Sequence, residues 1–565
     1  MCVADGYEVG MSNLGVRILY YMFNSMDGVV CERCFTPFAD YRNYLAERNL
    51  PLMSLETQTP LKQFDFVGFS IQFEMCYSNI FLTLDLAQIP VLAEERGEEY
   101  PILVAGGPCT VNPEPMYKYF DLFFVGEGET PWQQIIQDYD NLKGKYSKSQ
   151  IIEYLDSKYS CLYAPALHPA TYKGTTPSVL PNKVVRRNVE KDLNSIFTPS
   201  TQLVPNMEIV HDRAVAELFR GCANGCRFCQ AGFIYRPVRE RSKQNALDLC
   251  KSLIETTGYD ELSLNSLSTG DYSGLLPLLD DLLPYAEQNH VQLNLPSLRL
   301  DSFKGRMAEG NRKSSLTFAP EAGTQRLRDV INKNVTEENI FGTLGEAFKQ
   351  GYNSVKLYFM LGLPTETMQD VQGIYELACK IKSYYKHATG NGKVRIAVSC
   401  STFIPKPFTP FQWCAFASRS DIIAKQRYLK DALTKKGISF SYNDYDVSYL
   451  EAVLARGGRV IADALYQAYL DGANFDAWSE YFNFEHYRKA FDALQIDTDK
   501  IVGSYSLDDV LPWDFIDVGV TKQYLKSEYL RAMGEQTTPS CTKQCNGCGL
   551  AKWGFCLDGH GNATK

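Results

Sequence analysis

Cys222-Ala-Asn-Gly-Cys226-Arg-Phe-Cys229 is the stretch from which this chain is read. It follows the apolar run Val215-Ala-Glu-Leu-Phe219, which predicts a strand that delivers the cysteines to a loop. Thiolates this close together can each hold one iron of a cubane cluster. Three cysteines leave the fourth iron without a protein ligand. An open metal position is where chemistry takes place, as the contrast between closed structural and open catalytic zinc sites shows. A zinc knuckle would instead need a fourth cysteine or histidine at short range, and the next such residues, Cys250 and His211, are not at ligand spacing.

The composition sets the frame. A length of 565 residues predicts about three or four domains, and 45% hydrophobic with 22% charged residues is ordinary for a soluble globular protein. No uninterrupted apolar stretch is long enough to span a bilayer, and Met1-Cys-Val-Ala-Asp-Gly6 lacks the basic and apolar regions of a secretory signal, so a cytoplasmic location is expected with no membrane partner. Seventeen cysteines in such a chain argue for metal or thiol chemistry in a reducing compartment. Cys379 and Cys400, isolated among apolar neighbours, read as buried small hydrophobes. A net charge of −9 gives no global attraction to nucleic acid. Arg220, Arg227, Arg236, Arg239 and Arg241 form a local basic cluster with two readings: an RNA-binding face, or the internal support of the cysteine loop.

Strands and helices alternate from Met1 to about Thr130. Phe66-Val-Gly-Phe-Ser-Ile-Gln72, Ile102-Leu-Val-Ala105 and Phe120-Asp-Leu-Phe-Phe-Val-Gly126 read as strands, with helices over 79–87 and 113–119. This alternation predicts a parallel doubly wound sheet whose ligands bind beyond the carboxyl ends of the strands. At those ends lie Ser70, Gly106-Gly107-Pro108 and Gly126-Glu127-Gly128-Glu129. Residues 131–205 are polar and poorly periodic, and read as a helix followed by a strand-and-loop bridge. Alternation resumes at Val215, with strands expected over 215–219, 261–265, 291–295, 315–319, 354–360 and 394–399 and helices over 244–256, 325–331 and 368–384. Six such units predict a partial parallel barrel with its reactive groups at the carboxyl ends of the strands. Residues 414–535 read as mostly helical, a cap over the barrel mouth. Cys541-Thr-Lys-Gln-Cys545-Asn-Gly-Cys548, followed by Cys556 and His560, repeats the spacing of the first motif and reads as a second iron–sulfur cluster or a structural zinc, with Cys556 an optional fourth ligand.

The Cys222–Cys226–Cys229 motif resembles the signature of the radical S-adenosylmethionine (SAM) superfamily, and the N-terminal pattern, from Asp5-Gly-Tyr-Glu-Val-Gly10 through Ser70, Gly-Gly-Pro and Gly-Glu-Gly-Glu, resembles the cobalamin-binding domain that precedes many radical SAM cores. The resemblance implies a [4Fe–4S] cluster whose open iron takes SAM and reduces it to a 5′-deoxyadenosyl radical. It implies SAM contacts from Phe228, from Ser268, Thr269 and Asp271 after the second strand, from Glu321 to the ribose hydroxyls, and from Gly362 in the turn 360–367. Arg326 either pairs with the methionyl carboxylate or makes a helix-surface salt bridge. Cobalamin would lie against Ser70, Gly106, Gly107, Gly126 and Glu127. The lower-ligand motif Asp-x-His-x-x-Gly is absent and no histidine precedes His168, so its lower face would carry no histidine.

The segment Pro405-Lys-Pro-Phe-Thr-Pro410 is similar to one in methylthiotransferases, with Lys406 a candidate to face the substrate. The domains expected are 1–135 (cobalamin-binding-like), 136–205 (bridge), 206–435 (radical SAM core), 436–535 (helical) and 536–565 (cysteine-rich tail). Three functions are in contention. The first is modification of an unactivated carbon, most simply methyl transfer, on a small-molecule or RNA substrate, with a reducing partner such as flavodoxin or ferredoxin. The second is methylthiotransferase-like modification of RNA. The third is a non-catalytic electron-transfer or scaffold protein.

Overall fold

A computed structural model describes residues 1–295 and 316–555, and its contacts divide the chain into two units. The first comprises Met1–Glu190, Ser195–Asp212 and Tyr449–Val518; the second comprises Lys191–Asn194, Arg213–Ser448 and the chain from Gly519 onward.

The first unit is built on a six-stranded sheet: β1 (Cys2–Val3), β2 (Cys34–Phe35), β3 (Phe66–Ser70), β4 (Ile102–Gly106), β5 (Leu122–Phe124) and β6 (Leu162–Tyr163), in the order β2-β1-β3-β4-β5-β6. The first five pair in parallel and β6 is antiparallel. This is a doubly wound order whose direction reverses between β1 and β3. Residues 102–105 are buried throughout, as a strand covered on both faces requires.

Two expectations are corrected here. The segment 113–119 is a single 3-10 turn, Glu114–Met116, because Pro113 and Pro115 deprive a helix of its donors. Residues 131–205 contain two helices where one was expected, Pro131–Leu142 and Lys148–Lys158, and the second starts at a Ser147–Gln150 capping box. Ile135, Ile151, Leu155 and Leu162 close over Ile102, Val104, Leu122 and Phe124, so the sheet and its core continue well past residue 135.

The expected helical region 436–535 is also divided. Residues 449–518 pack within the first unit, where Arg459 pairs with the buried Glu114 at 2.8 Å, Phe81 meets Tyr466 and Tyr469, and Asp5 accepts from Trp478 at 2.9 Å. Ile516–Asp517 adds a parallel pairing with Val185–Arg186.

Among the described residues the second unit carries seven parallel strands in sequential order: β7 (Ala214–Glu217), β8 (Glu261–Asn265), β9 (Gln292–Asn294), β10 (Leu316–Glu321), β11 (Ser354–Leu361), β12 (Arg395–Thr402) and β13 (Ser439–Tyr442). The first three form one sheet and the last four another. Helices such as Lys243–Thr257, Leu275–Gln288, Glu337–Lys349 and Met368–Thr389 follow the strands in turn. All six expected strands are present. The seventh, β13, falls in a stretch read as helical; its short polar run Ser-Phe-Ser-Tyr carries little apolar signal. Cys400 is buried in this core and Cys379 packs against it, as expected.

Candidate functional site

Beyond β7 the chain forms a small hairpin, Phe219–Arg220 with Arg239–Glu240, and the cysteine loop hangs from it. Gly221 makes the turn possible: its φ is +85°, and a Cβ there would lie 2.2 Å from the Pro237 carbonyl oxygen. The loop is then held at every side. The Arg227 amide donates to the Ile331 carbonyl at 3.0 Å, Asn332 Nδ2 donates to the Gly225 carbonyl at 3.0 Å, and the Cys541 amide donates to the Ala223 carbonyl at 2.9 Å.

Of the two readings of the arginine cluster, the exposed basic face does not fit. Arg227, Arg236, Arg239 and Arg241 are all buried. Arg227 bonds Glu528 at 3.1 Å and the Val330 carbonyl at 2.9 Å; Arg239 bonds the carbonyls of Pro237 and Tyr235; Arg241 bonds those of Glu217 and Leu193. Arg220 pairs with Glu217 at 2.9 Å. Internal support of the loop is the reading that fits.

Two groups of polar side chains meet the cysteine loop. On one side Asn224, between Cys222 and Cys226, donates from Nδ2 to Asp271 Oδ2 at 2.8 Å, and Ser268 donates to the same oxygen at 2.7 Å. Thr269 is buried beneath them, bonded to Ser266 at 3.0 Å. On the other side Phe228 packs against the cluster of Ala322, Met360 and Phe403, and Lys333 stands 5.9 Å over its ring. Lys333 Nζ reaches Glu321 Oε1 at 3.2 Å. Burial raises the Glu321 carboxyl above its usual range, against the pull of Lys333. Glu321 has φ +67° where the β10–β11 register shifts, a conformation that costs a non-glycine residue about 1–3 kcal/mol and collects at functional sites.

Replacing Glu321 by glutamine is expected to weaken SAM binding about tenfold or more, the scale of a lost charge-assisted hydrogen bond, with the cluster's absorbance retained. Equilibrium dialysis with labelled SAM measures it, and unchanged affinity would give this carboxylate another role.

The other expected SAM residues sit differently. Arg326 bonds Asp370 at 2.5 Å, Glu535 at 3.0 Å and the Thr365 carbonyl at 2.9 Å, so its fork is already filled by the protein and the salt-bridge reading fits. Gly362 has φ +84°, its amide bonds Glu366 at 2.8 Å, and Glu366 is buried against Lys425 at 2.7 Å; its first task is the turn. The Pro405–Pro410 segment meets the loop through Gln230, which donates to the Pro407 carbonyl at 3.2 Å. Lys333, Asn224 and Asn332 were not singled out by spacing. The one sequence signal for the first is Asn332-Lys333-Asn334, whose asparagines both adopt positive φ and fold the lysine back.

The three thiols of the motif suit a cubane, which takes one thiolate on each of three irons. Burial pushes the Cys229 thiol up to about 12, and the nearby Cys226 and Cys222 add to the rise while Lys333 opposes it, so the three share one electrostatic neighbourhood.

In the first unit Ser70 and Gly106 stand opposite each other at the carboxyl ends of β3 and β4. Gly107 (φ +96°) lets the Ile71 carbonyl approach, where a Cβ would lie at 2.6 Å. Gly126 (φ +116°) likewise admits Asn188, whose oxygen would be 2.3 Å from a Cβ, and Glu127 Oε2 accepts from the Glu190 amide at 3.0 Å. Ser70 and Gly106 thus match the ligand-binding end of a doubly wound sheet. Gly126 and Glu127 are engaged by the chain itself. Cys541, Cys545 and Cys548 lie on a loop of the second unit, and Cys556 and His560 lie outside the described residues. No described helix is long and apolar enough to cross a membrane.

A cysteine triad beyond the first of a series of parallel βα units, with polar loops from later strands gathered on it, defines an iron–sulfur enzyme core. The family model for the radical SAM superfamily matches residues 216–378, and that for the N-terminal region of radical SAM proteins matches residues 15–165. The chain belongs to the radical SAM superfamily, whose members use a [4Fe–4S] cluster and SAM. It is 29% identical over 424 residues to an uncharacterized protein of Methanocaldococcus jannaschii, spanning 74% of this chain and 84% of that one. A second uncharacterized protein of the same organism is 20% identical over 363 residues, spanning 55% and 64%. Among solved structures it is similar to the radical SAM methyltransferase TsrM from Kitasatospora setae with cobalamin and a [4Fe–4S] cluster bound (TM-score 0.45, 12% identity, 73% of each chain). It is also similar to the cobalamin-dependent SAM radical enzyme OxsB with aqua-cobalamin and SAM bound (TM-score 0.47, 11% identity, 94% of this chain and 78% of that one).

Proposed function

We propose that this chain cleaves SAM reductively and uses the 5′-deoxyadenosyl radical, together with cobalamin, to modify an unactivated carbon, most simply by methylating it. The observation that carries the reading is the pair of bonds from Asn224 and Ser268 to Asp271, which ties the cysteine loop to the end of β8. Cys222, Cys226 and Cys229 would hold a [4Fe–4S] cluster, which would supply the one electron that reduces the sulfonium of SAM and breaks its C5′–S bond to methionine and the radical. The chain's own residues place SAM for that step. Asp271, oriented by its two donors, faces the amino group. Glu321 accepts from the ribose hydroxyls, and Lys333 opposes the rise that burial imposes on its carboxyl. Phe228 covers the adenosyl side. The electron comes from a one-electron donor such as flavodoxin or ferredoxin, in the cytoplasm.

The carboxyl ends of the first unit's strands would hold cobalamin, which would supply the methyl carrier. The strand order and the juxtaposed Ser70 and Gly106, beside Gly107, support it there. Burial of the arginine cluster weighs against the RNA-modifying reading. Protein purified anaerobically from cobalamin-supplemented cells is expected to retain cobalamin, and its cob(II)alamin paramagnetic resonance to lack superhyperfine splitting from an axial nitrogen. Splitting that changes when the protein is labelled with nitrogen-15 would contradict the histidine-free lower face. A protein that cleaves SAM yet takes up no cobalamin would remove methyl transfer from the account.

A further inference from the structure

The cysteine-rich tail is built onto the cysteine loop of the second unit. The Cys541 amide and the Ser540 hydroxyl both donate to the Ala223 carbonyl, at 2.9 and 3.3 Å, one residue beyond Cys222. Upstream, Thr538 is fixed by its amide on Asn332 Oδ1 at 2.7 Å and by Asn334 on its carbonyl at 3.1 Å. Downstream, the Cys548 carbonyl accepts from the Thr521 amide at 2.9 Å. Gly549 (φ +117°) makes that return possible, since a Cβ there would lie 2.6 Å from Thr521 Cγ2. Within the loop, Asn546 Nδ2 bonds the Pro539 carbonyl at 2.8 Å and points at Cys541 Sγ from 3.8 Å. Cys541 and Cys548 are half-buried and Cys545 is exposed. Arg236, buried between the helix Ala231–Ile234 and the tail, donates to the Gly232 carbonyl at 2.8 Å and to the Tyr524 hydroxyl at 3.4 Å, and it lies within electrostatic reach of Cys541 and Cys548.

We infer that Cys541, Cys545 and Cys548 bind a second iron–sulfur cluster, docked against the loop of the first. Their spacing, three residues and then two between cysteines, repeats that of Cys222, Cys226 and Cys229. A cubane places them on separate irons, and thiolate-ligated clusters are anionic, which suits a buried guanidinium nearby. The inference stands on the tail's own geometry and does not depend on SAM cleavage by the first loop.

The test is metal analysis of anaerobically reconstituted full-length chain in which Cys222, Cys226 and Cys229 are all alanine. About four iron and four sulfide per chain are expected to remain, with a cluster signal in paramagnetic resonance after reduction. About one zinc with no sulfide, or no metal at all, would overturn the inference. As a check independent of that variant's folding, alanine at Cys541, Cys545 and Cys548 in the otherwise native chain is expected to halve the iron content. An unchanged iron content there would equally overturn it. Loss of the first cluster alone would appear as iron missing from the second variant and not from the first, so the two sites fail separately.

Discussion

Cys226→Ala is expected to bring 5′-deoxyadenosine formation down to the level of a protein-free control while the chain stays folded. In the proposed function the thiol is one of three that hold the electron-donating cluster, and two cysteines cannot replace a set of three. The loop's position does not depend on it. Its supports are the backbone bonds of Gly225, Arg227 and Ala223, and the Cys226 carbonyl still accepts from the Cys229 amide at 3.1 Å when the side chain is shortened. The truncation itself costs about 1 kcal/mol. Chromatographic assay of deoxyadenosine, with circular dichroism for the fold, reads both halves. Normal deoxyadenosine production would contradict the role of the motif.

The largest effect on stability is expected from Arg227→Met. Arg227 and Glu528 are 0% and 2% exposed and 3.1 Å apart, and they are separated by 301 residues of chain. Arg227 also bonds the carbonyls of Asp329, Val330 and Gln536, so one guanidinium joins the cysteine loop, the segment after β10 and the tail. Removing it leaves Glu528 buried with Thr538 and the partly exposed Arg531 for company. Breaking one side of a buried pair costs about 3–5 kcal/mol. A second change, Glu528→Leu, is expected to return part of that loss, since replacing both charges removes the stranded one. Urea titration measures the series. A cost for the single variant below about 1 kcal/mol, or a double variant worse than the sum of the singles, would show that the pair does not hold the loop.

The sequence made the core legible where its signal is local. The spacing of Cys222, Cys226 and Cys229 is visible in eight residues, Ile102–Gly106 is an uninterrupted run of apolar residues and glycine, and Ser354–Leu361 is an apolar run broken only by Lys356, both of strand length. Asp271 and Glu321 could be picked out because each follows such a strand. What closed only in three dimensions was not legible. Lys333 reaches Glu321 because two asparagines turn the chain back, and Glu528 finds Arg227 from the far end of the protein. Residues 449–518 have the same helical pattern as their flanks, yet buried partners such as Glu114 and Asp5 draw them into the first unit. Arg326 had a surface partner and a ligand partner of equal chemical merit, and only the position of Asp370 separates them. Glycines were the least informative: Gly107 and Gly126 stand where a cofactor domain would have them, but both are required by close backbone approach.

Reductive cleavage of SAM is the claim on which the rest depends. Anaerobically reconstituted protein, given dithionite and SAM, is expected to produce 5′-deoxyadenosine and methionine in equal amounts, with neither formed when Cys222, Cys226 and Cys229 are alanine. A reconstituted protein that carries its cluster, takes up the electron and leaves SAM intact would contradict the account and return the chain to the electron-transfer class.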